Sequence, residues 1–82
     1  MSRLRELLNR LKWSEDALEH AVIWYIHRGG PDDLATVSGG DILDIGRSFL
    51  LIRREGGTVS IPHHRVVRVE VEGKAVYSGS DQ

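Results

Sequence analysis

The first pattern along the chain is a stripe of leucines near the N-terminus. Four leucines follow the i, i+3, i+4, i+7 spacing that collects side chains on one face of a helix: Leu4, Leu7, Leu8 and Leu11. Glu6 precedes Arg10 by four residues, the order that favours an ion pair on a helix surface. This pattern predicts an amphipathic helix over residues 2–11. Ser14, which is followed by two acidic residues, predicts a brief second helical turn.

A second pattern covers residues 21–28, where apolar side chains occupy both alternating faces of an extended segment. Val22, Trp24 and Ile26 share one face, and the opposite face is largely apolar as well. A strand that is apolar on both sides belongs in the middle of a sheet. We therefore expect an internal strand here, with Trp24 in the core because its neighbours on the same face are Val22 and Ile26.

Short apolar segments then follow one another closely, separated by glycine or proline. Residues 34–37 are expected to pair weakly. Five further strands are predicted at residues 41–45, 48–53, 58–61, 65–72 and 74–77. The chain is therefore predicted to be an α+β domain in which the N-terminal amphipathic helix precedes five or six short antiparallel strands. We expect these strands to form a meander or a small SH3-like or Sm-like barrel over residues 1–77, followed by a polar tail at residues 78–82.

Composition narrows the class of protein. With 82 residues the chain has room for one modest core, and its 40% hydrophobic and 28% charged residues are an ordinary balance for a globular domain. No cysteine is present, which excludes disulfides and thiolate metal sites and favours a reducing cytoplasm. The longest apolar run, residues 21–26, is far too short for a membrane span. We expect a cytoplasmic monomer or small homo-oligomer without a cofactor.

Candidate chemistry is densest at residues 61–66, which read Ile-Pro-His-His-Arg-Val. Pro62 fixes its own φ and biases the preceding residue toward an extended conformation, so we expect the backbone to turn there. The side chains of His63, His64 and Arg65 then stand on a fixed corner. Imidazole exchanges a proton near neutral pH and a guanidinium matches a phosphate or carboxylate, so this corner favours an anionic ligand. The formal net charge of −1 argues against indiscriminate binding to long duplex nucleic acid.

Four short segments in series carry a resemblance to a known family. They are residues 11–13 (Leu-Lys-Trp), 25–29 (Tyr-Ile-His-Arg-Gly), 61–66 and 73–77 (Gly-Lys-Ala-Val-Tyr). In this order they resemble the RNA cyclic group end recognition domain, a small and mainly archaeal family once described as uncharacterised. The resemblance implies a module that recognises RNA 3′ ends bearing a cyclic phosphate or similar group. It also implies a setting in RNA repair or processing, with an enzyme of that kind as a possible partner.

The resemblance also implies which residues bind the RNA end. The polar and aromatic residues that match the family pattern are Lys12, Tyr25, Arg28, His64 and Arg65. Arg65 would clamp the phosphate, His64 would donate a hydrogen bond to it, and Tyr25 would pack on the ribose or base. Lys12 and Arg28 would add positive potential. His27 stands where many relatives have an acid, so this member differs from the family pattern at one position beside Arg28.

Two other classes of function are compatible with the sequence. In one, the chain is a weak phosphodiesterase that uses His64 with His27 or His20 as acid and base. His63 and His64 are adjacent, so on an extended chain they point to opposite sides and make a poor pair by themselves. In the other, a sheet edge or the helix docks a protein partner. A metal site is disfavoured because no His-x-His or His-Glu-x-x-His spacing occurs.

Overall fold

The leucine stripe folds as helix α1, Arg3–Trp13, in the computed structural model of the chain, which describes residues 3–14, 17–27 and 33–79. Leu4 and Leu8 are buried, as expected for the apolar face of an amphipathic helix. The predicted helical turn after Ser14 lies partly outside the described residues. Its described part is a 3-10 helix at Ala17–His20, which leads directly into the first strand.

The rest of the described chain forms antiparallel strands in two sheets. The strands are β1 (Ala21–Ile26), β2 (Leu34–Ser38), β3 (Ile42–Ile45), β4 (Phe49–Arg54), β5 (Gly57–Pro62), β6 (Val66–Val71) and β7 (Lys74–Ser78). One sheet has the order β2-β1-β6-β7 and the other has the order β3-β4-β5. The α+β class and the order of one helix followed by short antiparallel strands are confirmed. The described residues form seven strands rather than the predicted five or six.

Of the two predicted arrangements, a meander or a small barrel, the strands do not form a closed barrel, because the two sheets are separate in the described part of the chain. Two 3-10 helices, Gly39–Asp41 and His63–Arg65, stand between β2 and β3 and between β5 and β6. Each one turns the chain out of one sheet before the next strand begins. At Gly39 the backbone passes so close to Leu18 that a Cβ atom would lie 2.0 Å from its carbonyl oxygen. This turn therefore requires glycine.

One face of each sheet and the leucine face of α1 enclose a single core. The buried hydrophobic residues are Leu4, Leu8, Ala21, Ile23, Tyr25, Val37, Ile45, Leu50, Ile52, Ile61, Val66 and Val69. β1 is an internal strand, as its apolar sequence predicted. Only one of its faces joins the core, however, because Val22 and Ile26 on the opposite face are 37% and 38% exposed. The expectation that Trp24 lies in the core is wrong, since it lies between these two residues and is partly exposed.

A tight turn joins the last two strands. Glu72 and Gly73 link β6 to β7, and both have positive φ, at 52° and 84°. Two successive residues with positive φ are the signature of a type I′ hairpin turn. Gly79, the last described residue, donates its N–H to the carbonyl oxygen of Val67 at 3.0 Å, so the chain remains attached to β6 beyond β7. No helix in the described ranges is long and apolar enough to cross a membrane.

Candidate functional site

The Pro-His-His-Arg segment forms the corner that its sequence predicts. Pro62 ends β5 in an extended conformation, with φ −60° and ψ 142°, and caps the 3-10 helix His63–Arg65. Two backbone hydrogen bonds fix this helix. The His63 N–H donates to the carbonyl oxygen of Ser48 at 2.9 Å, and the Val66 N–H donates to the carbonyl oxygen of His63. Arg65 is therefore carried on a backbone that is held at both ends.

A small cleft lies beside this corner, between the end of β1 and the edge strand β5. Its lining residues are Tyr25, Ile26, His27, Arg54, Val59, Ser60, Ile61, Pro62 and Arg65. Its volume is about 130 Å³, whereas sites for drug-sized ligands are typically about 300–1,000 Å³. The cleft therefore suits a single compact group, such as the end of a chain, rather than a whole large ligand.

One wall of the cleft is made by Tyr25 and Arg54. Tyr25 is 5% exposed, and its ring belongs to the core. The Arg54 guanidinium donates a hydrogen bond from Nη2 to the Tyr25 hydroxyl, and its Cζ atom is 5.8 Å from the centre of the Tyr25 ring. The His27 ring meets the Tyr25 ring edge to face, with centroids 6.4 Å apart. These contacts hold a guanidinium and an imidazole against one rigid aromatic ring.

Arg65 supplies the second guanidinium of the cleft. Its side chain is exposed and makes no hydrogen bond or ion pair with any described residue. None of the described residues that line the cleft is acidic, whereas two are arginines. Ile26, Val59 and Ile61 add apolar surface to the lining. The cleft thus combines excess positive charge with an apolar surface, which is the environment that a small and weakly hydrated anion prefers.

The structure brings together two of the five site residues expected from the sequence. Tyr25 and Arg65 line the same cleft. His64 is exposed on the 3-10 helix next to Arg65 but does not line the cleft. Lys12 is exposed and lines a different groove, together with Glu19 and Gly40. Arg28 lies outside the described residues, although its neighbour His27 is part of the cleft.

The adjacent histidines have different environments, although they lie on a 3-10 helix and not on the extended chain assumed from the sequence. His63 is half-buried and His64 is exposed. Burial lowers the pKa of His63 below the ordinary histidine value of 6.5, and the positive charge of Arg5 lowers this pKa further. Hydrogen bonds to the backbone at Phe49 and Gly46 oppose these effects without cancelling them. His63 is therefore predominantly neutral at pH 7, and it contributes to the packing of the corner.

Arg54 is the cleft residue that sequence reasoning missed. The alternation of β4 contains a signal for it, because Leu50 and Ile52 are fully buried and Arg54 is the next residue on the same side of the strand. An arginine that continues a core-facing row needs a polar partner, and Tyr25 provides it. Within the described ranges, no three His, Asp or Glu side chains come together as a group that could hold a metal ion.

Comparison with known proteins agrees with the resemblance found in the sequence. The sequence model of a family described as the MJ1316 RNA cyclic group end recognition domain matches residues 1–78. A UPF0248 protein of Pyrobaculum islandicum is 32% identical over 73 residues, which cover 89% of this chain and 83% of that protein. A UPF0248 protein of Methanococcus vannielii is 37% identical over 68 residues, covering 82% of this chain and 77% of the relative. No solved structure matches the chain.

Proposed function

Because the chain belongs to the family of the MJ1316 RNA cyclic group end recognition domain, we propose that it binds RNA 3′ ends that carry a cyclic phosphate, and that the terminal group enters the cleft beside Arg65. One observation carries this proposal. Tyr25 and Arg65 lie far apart in the sequence, yet they line one small cleft whose described lining includes a second arginine and no acidic side chain. The domain acts as a recognition module and leaves the RNA end unchanged.

The charge and size of the cleft favour a cyclic phosphate over a linear one. A cyclic phosphate is a diester with one negative charge, whereas a terminal monoester carries a charge of about −1.5 to −2 at neutral pH. The side chains of Ile26, Val59 and Ile61 offer no hydrogen bonds to replace the water that the more highly charged group would lose. In the proposed complex, the ring atoms and ester oxygens of the cyclic end also fill the small cleft more completely than a linear phosphate would. Both effects support a preference for the cyclic end.

In this proposal the two arginines have different tasks. Arg54 is already fixed by Tyr25, so it presents a preorganised positive charge at the wall. Arg65 has no partner among the described residues, so it is available for a bidentate contact with the phosphate oxygens. His64 stands on the same short helix and donates a hydrogen bond to the RNA from outside the cleft. The Tyr25 ring and His27 contact the ribose or base.

In this proposal Lys12 and Arg28 add positive potential. Lys12 lies in another groove, so its effect on the RNA is a long-range attraction that salt screens. We further propose that the module acts in the cytoplasm and delivers RNA ends to an RNA repair or processing enzyme. The family name supports RNA-end recognition.

The test is a titration of one short RNA that ends in a cyclic phosphate, a linear phosphate or a hydroxyl. We expect the parent protein to prefer the cyclic end and to leave it intact. Arg65→Ala should weaken binding of the cyclic end by about 10- to 150-fold, the effect of losing a hydrogen bond to a charged group. It should also reduce the slope of log affinity against log salt by about 0.7, which corresponds to one phosphate contact on a single strand.

Arg53→Ala is the matched control for this test. Arg53 is exposed on the same strand as Arg54 and alternates to the other side, so its loss changes the net charge equally without touching the cleft. Equal effects of Arg65→Ala and Arg53→Ala would show that only overall charge matters and would refute the site. Conversion of the cyclic end during the titration would favour a phosphodiesterase. Equal affinity for all three ends would favour a protein interaction module.

A further inference from the structure

The uncovered face of the four-stranded sheet continues from the cleft. Trp24 is partly exposed at the middle of β1, between the exposed side chains of Val22 and Ile26. Ile26 also lines the cleft, so the two surfaces share a residue. Trp24 is two residues from Ile26 along an extended strand, a separation of about 7 Å. An RNA strand whose end occupies the cleft therefore reaches this face by passing over Ile26.

Trp24 has the properties of a stacking surface. Its indole nitrogen is buried and has no hydrogen-bond partner among the described residues. The part of the side chain that solvent reaches is therefore the apolar ring surface and not the N–H edge. Trp24 pairs in register with Thr36 on β2 and with Arg68 on β6, so an aromatic ring on an internal strand is flanked by a hydroxyl and a guanidinium. Nucleobases stack on aromatic rings presented in this way.

The charges of this face indicate stacking rather than electrostatic binding. Arg68 forms an ion pair with Glu70, so the face gains little net positive charge from it. A base that contacts Trp24 would gain apolar contact area and a cation–π interaction with Arg68. Its affinity would depend weakly on salt, in contrast to the phosphate contact at Arg65.

We propose that this sheet face, defined by Val22, Trp24, Ile26 and Arg68, binds the single-stranded RNA immediately upstream of the terminal group, with one base stacked on Trp24. This proposal rests on the proposed function and adds a second subsite to it. The face then supplies affinity that depends on RNA length, while the cleft supplies preference for the end group. A partner protein or a second copy of this chain on the same face is the competing occupant.

The test compares RNAs of different length that all end in a cyclic phosphate: a single nucleotide, a trimer and a hexamer. Trp13→Phe is the background, because the chain has two tryptophans and this change leaves Trp24 as the only one. We expect the trimer and hexamer to quench the fluorescence of Trp24 and to bind more tightly than the single nucleotide. Trp24→Leu should weaken the binding of the trimer and the hexamer by about 5- to 150-fold, as measured by fluorescence anisotropy of labelled RNA. The slope with salt should be unchanged.

Phe49→Leu is the matched control, since Phe49 is an exposed aromatic side chain on β4 that does not line the cleft. It should leave the length dependence intact. If Trp24→Leu destabilises the protein, Trp24→Phe should retain part of the higher affinity for the longer RNAs. Quenching of Trp24 fluorescence in the Trp13→Phe background is then a direct readout of contact with the RNA.

Three results would overturn the proposal. The first is a preference for the cyclic end with no gain in affinity from trimer or hexamer. The second is a gain that Trp24→Leu leaves unchanged. The third is a dimer in light scattering that Trp24→Leu dissociates, since a second copy would then cover the face. If the parent protein bound all three end groups with equal affinity, this would instead refute the proposed function. The two failures are therefore distinguishable.

Discussion

The contact between Tyr25 and Arg54 gives the sharpest quantitative prediction. Tyr25→Phe removes the hydroxyl that accepts the Arg54 hydrogen bond but keeps the buried ring and the guanidinium above it. A hydrogen bond to a charged group contributes about 1.5–3 kcal/mol when it is well shielded, and a typical neutral one contributes about 0.5–1.5 kcal/mol. Arg54 is exposed, so water replaces part of the lost contact. We therefore expect the free energy of unfolding to fall by about 1 kcal/mol.

A double-mutant cycle isolates this contact. Arg54→Met keeps the length and much of the apolar volume of the side chain but removes the donor. Tyr25→Phe, Arg54→Met and the double variant should be compared with the parent in urea unfolding followed by circular dichroism. We expect a coupling energy of about 1 kcal/mol between the two positions. For a domain of this size, each single change should lower the melting temperature by about 4–8 °C.

The refuting result is additivity. The decrease in the free energy of unfolding of the double variant is compared with the sum of the decreases of the two single variants. If the two agree within about 0.3 kcal/mol, the side chains do not interact in solution. The wall of the cleft would then lack a fixed guanidinium. In that case Arg54 would line the cleft without a fixed position, and the charge argument for the site would rest mainly on Arg65.

Three further predictions concern the scaffold. Leu8→Ala should lower the free energy of unfolding by about 2–5 kcal/mol, because Leu8 is fully buried; a loss below about 1 kcal/mol in urea unfolding would contradict the packing of α1. Glu72→Asn should raise stability by about 0.5–1 kcal/mol in the same assay, because Asn tolerates positive φ better and Asn-Gly is the preferred type I′ pair; lower stability would argue against this turn. Because His63 has a lowered pKa when folded, the unfolded chain takes up its proton first as pH falls through 6.5. Stability should decline below that pH, and His63→Gln should flatten the decline; an unchanged pH profile would show that His63 is not its source.

The parts of the fold that follow from local sequence are predictable. The helix follows from leucine spacing, and the corner follows from Pro62, because both depend on residues that are near each other in the chain. The division into two sheets does not follow in this way. It depends on two 3-10 turns that prevent neighbouring strands from pairing, and their sequences resemble ordinary loops.

The two faces of β1 show a second limit of sequence reasoning. Both faces are apolar, so periodicity cannot say which one the rest of the protein covers. The structure covers the face of Ile23 and Tyr25 and leaves Trp24 and its neighbours partly exposed. The same limit applies to the site, because the resemblance grouped Lys12 with Arg65 whereas the fold carries them to different grooves. Contacts between distant segments decide such questions.

Some residues of the proposed RNA site also belong to the core and others do not, and this determines which substitutions can separate binding from folding. Tyr25 lines the cleft but is also a core residue, so its loss would weaken binding and stability together. Arg65 is exposed, and Trp24 lies on a face that no described element covers, so neither is needed for the core. Surface changes away from packed or hydrogen-bonded groups usually alter stability by less than about 0.5 kcal/mol, which applies to Arg65. Trp24 has a buried indole nitrogen, so Trp24→Phe is the variant that best preserves its packing. Arg65 and Trp24 are therefore the positions at which a change in RNA affinity reports on recognition itself: on the end group for Arg65, and on the preceding bases for Trp24.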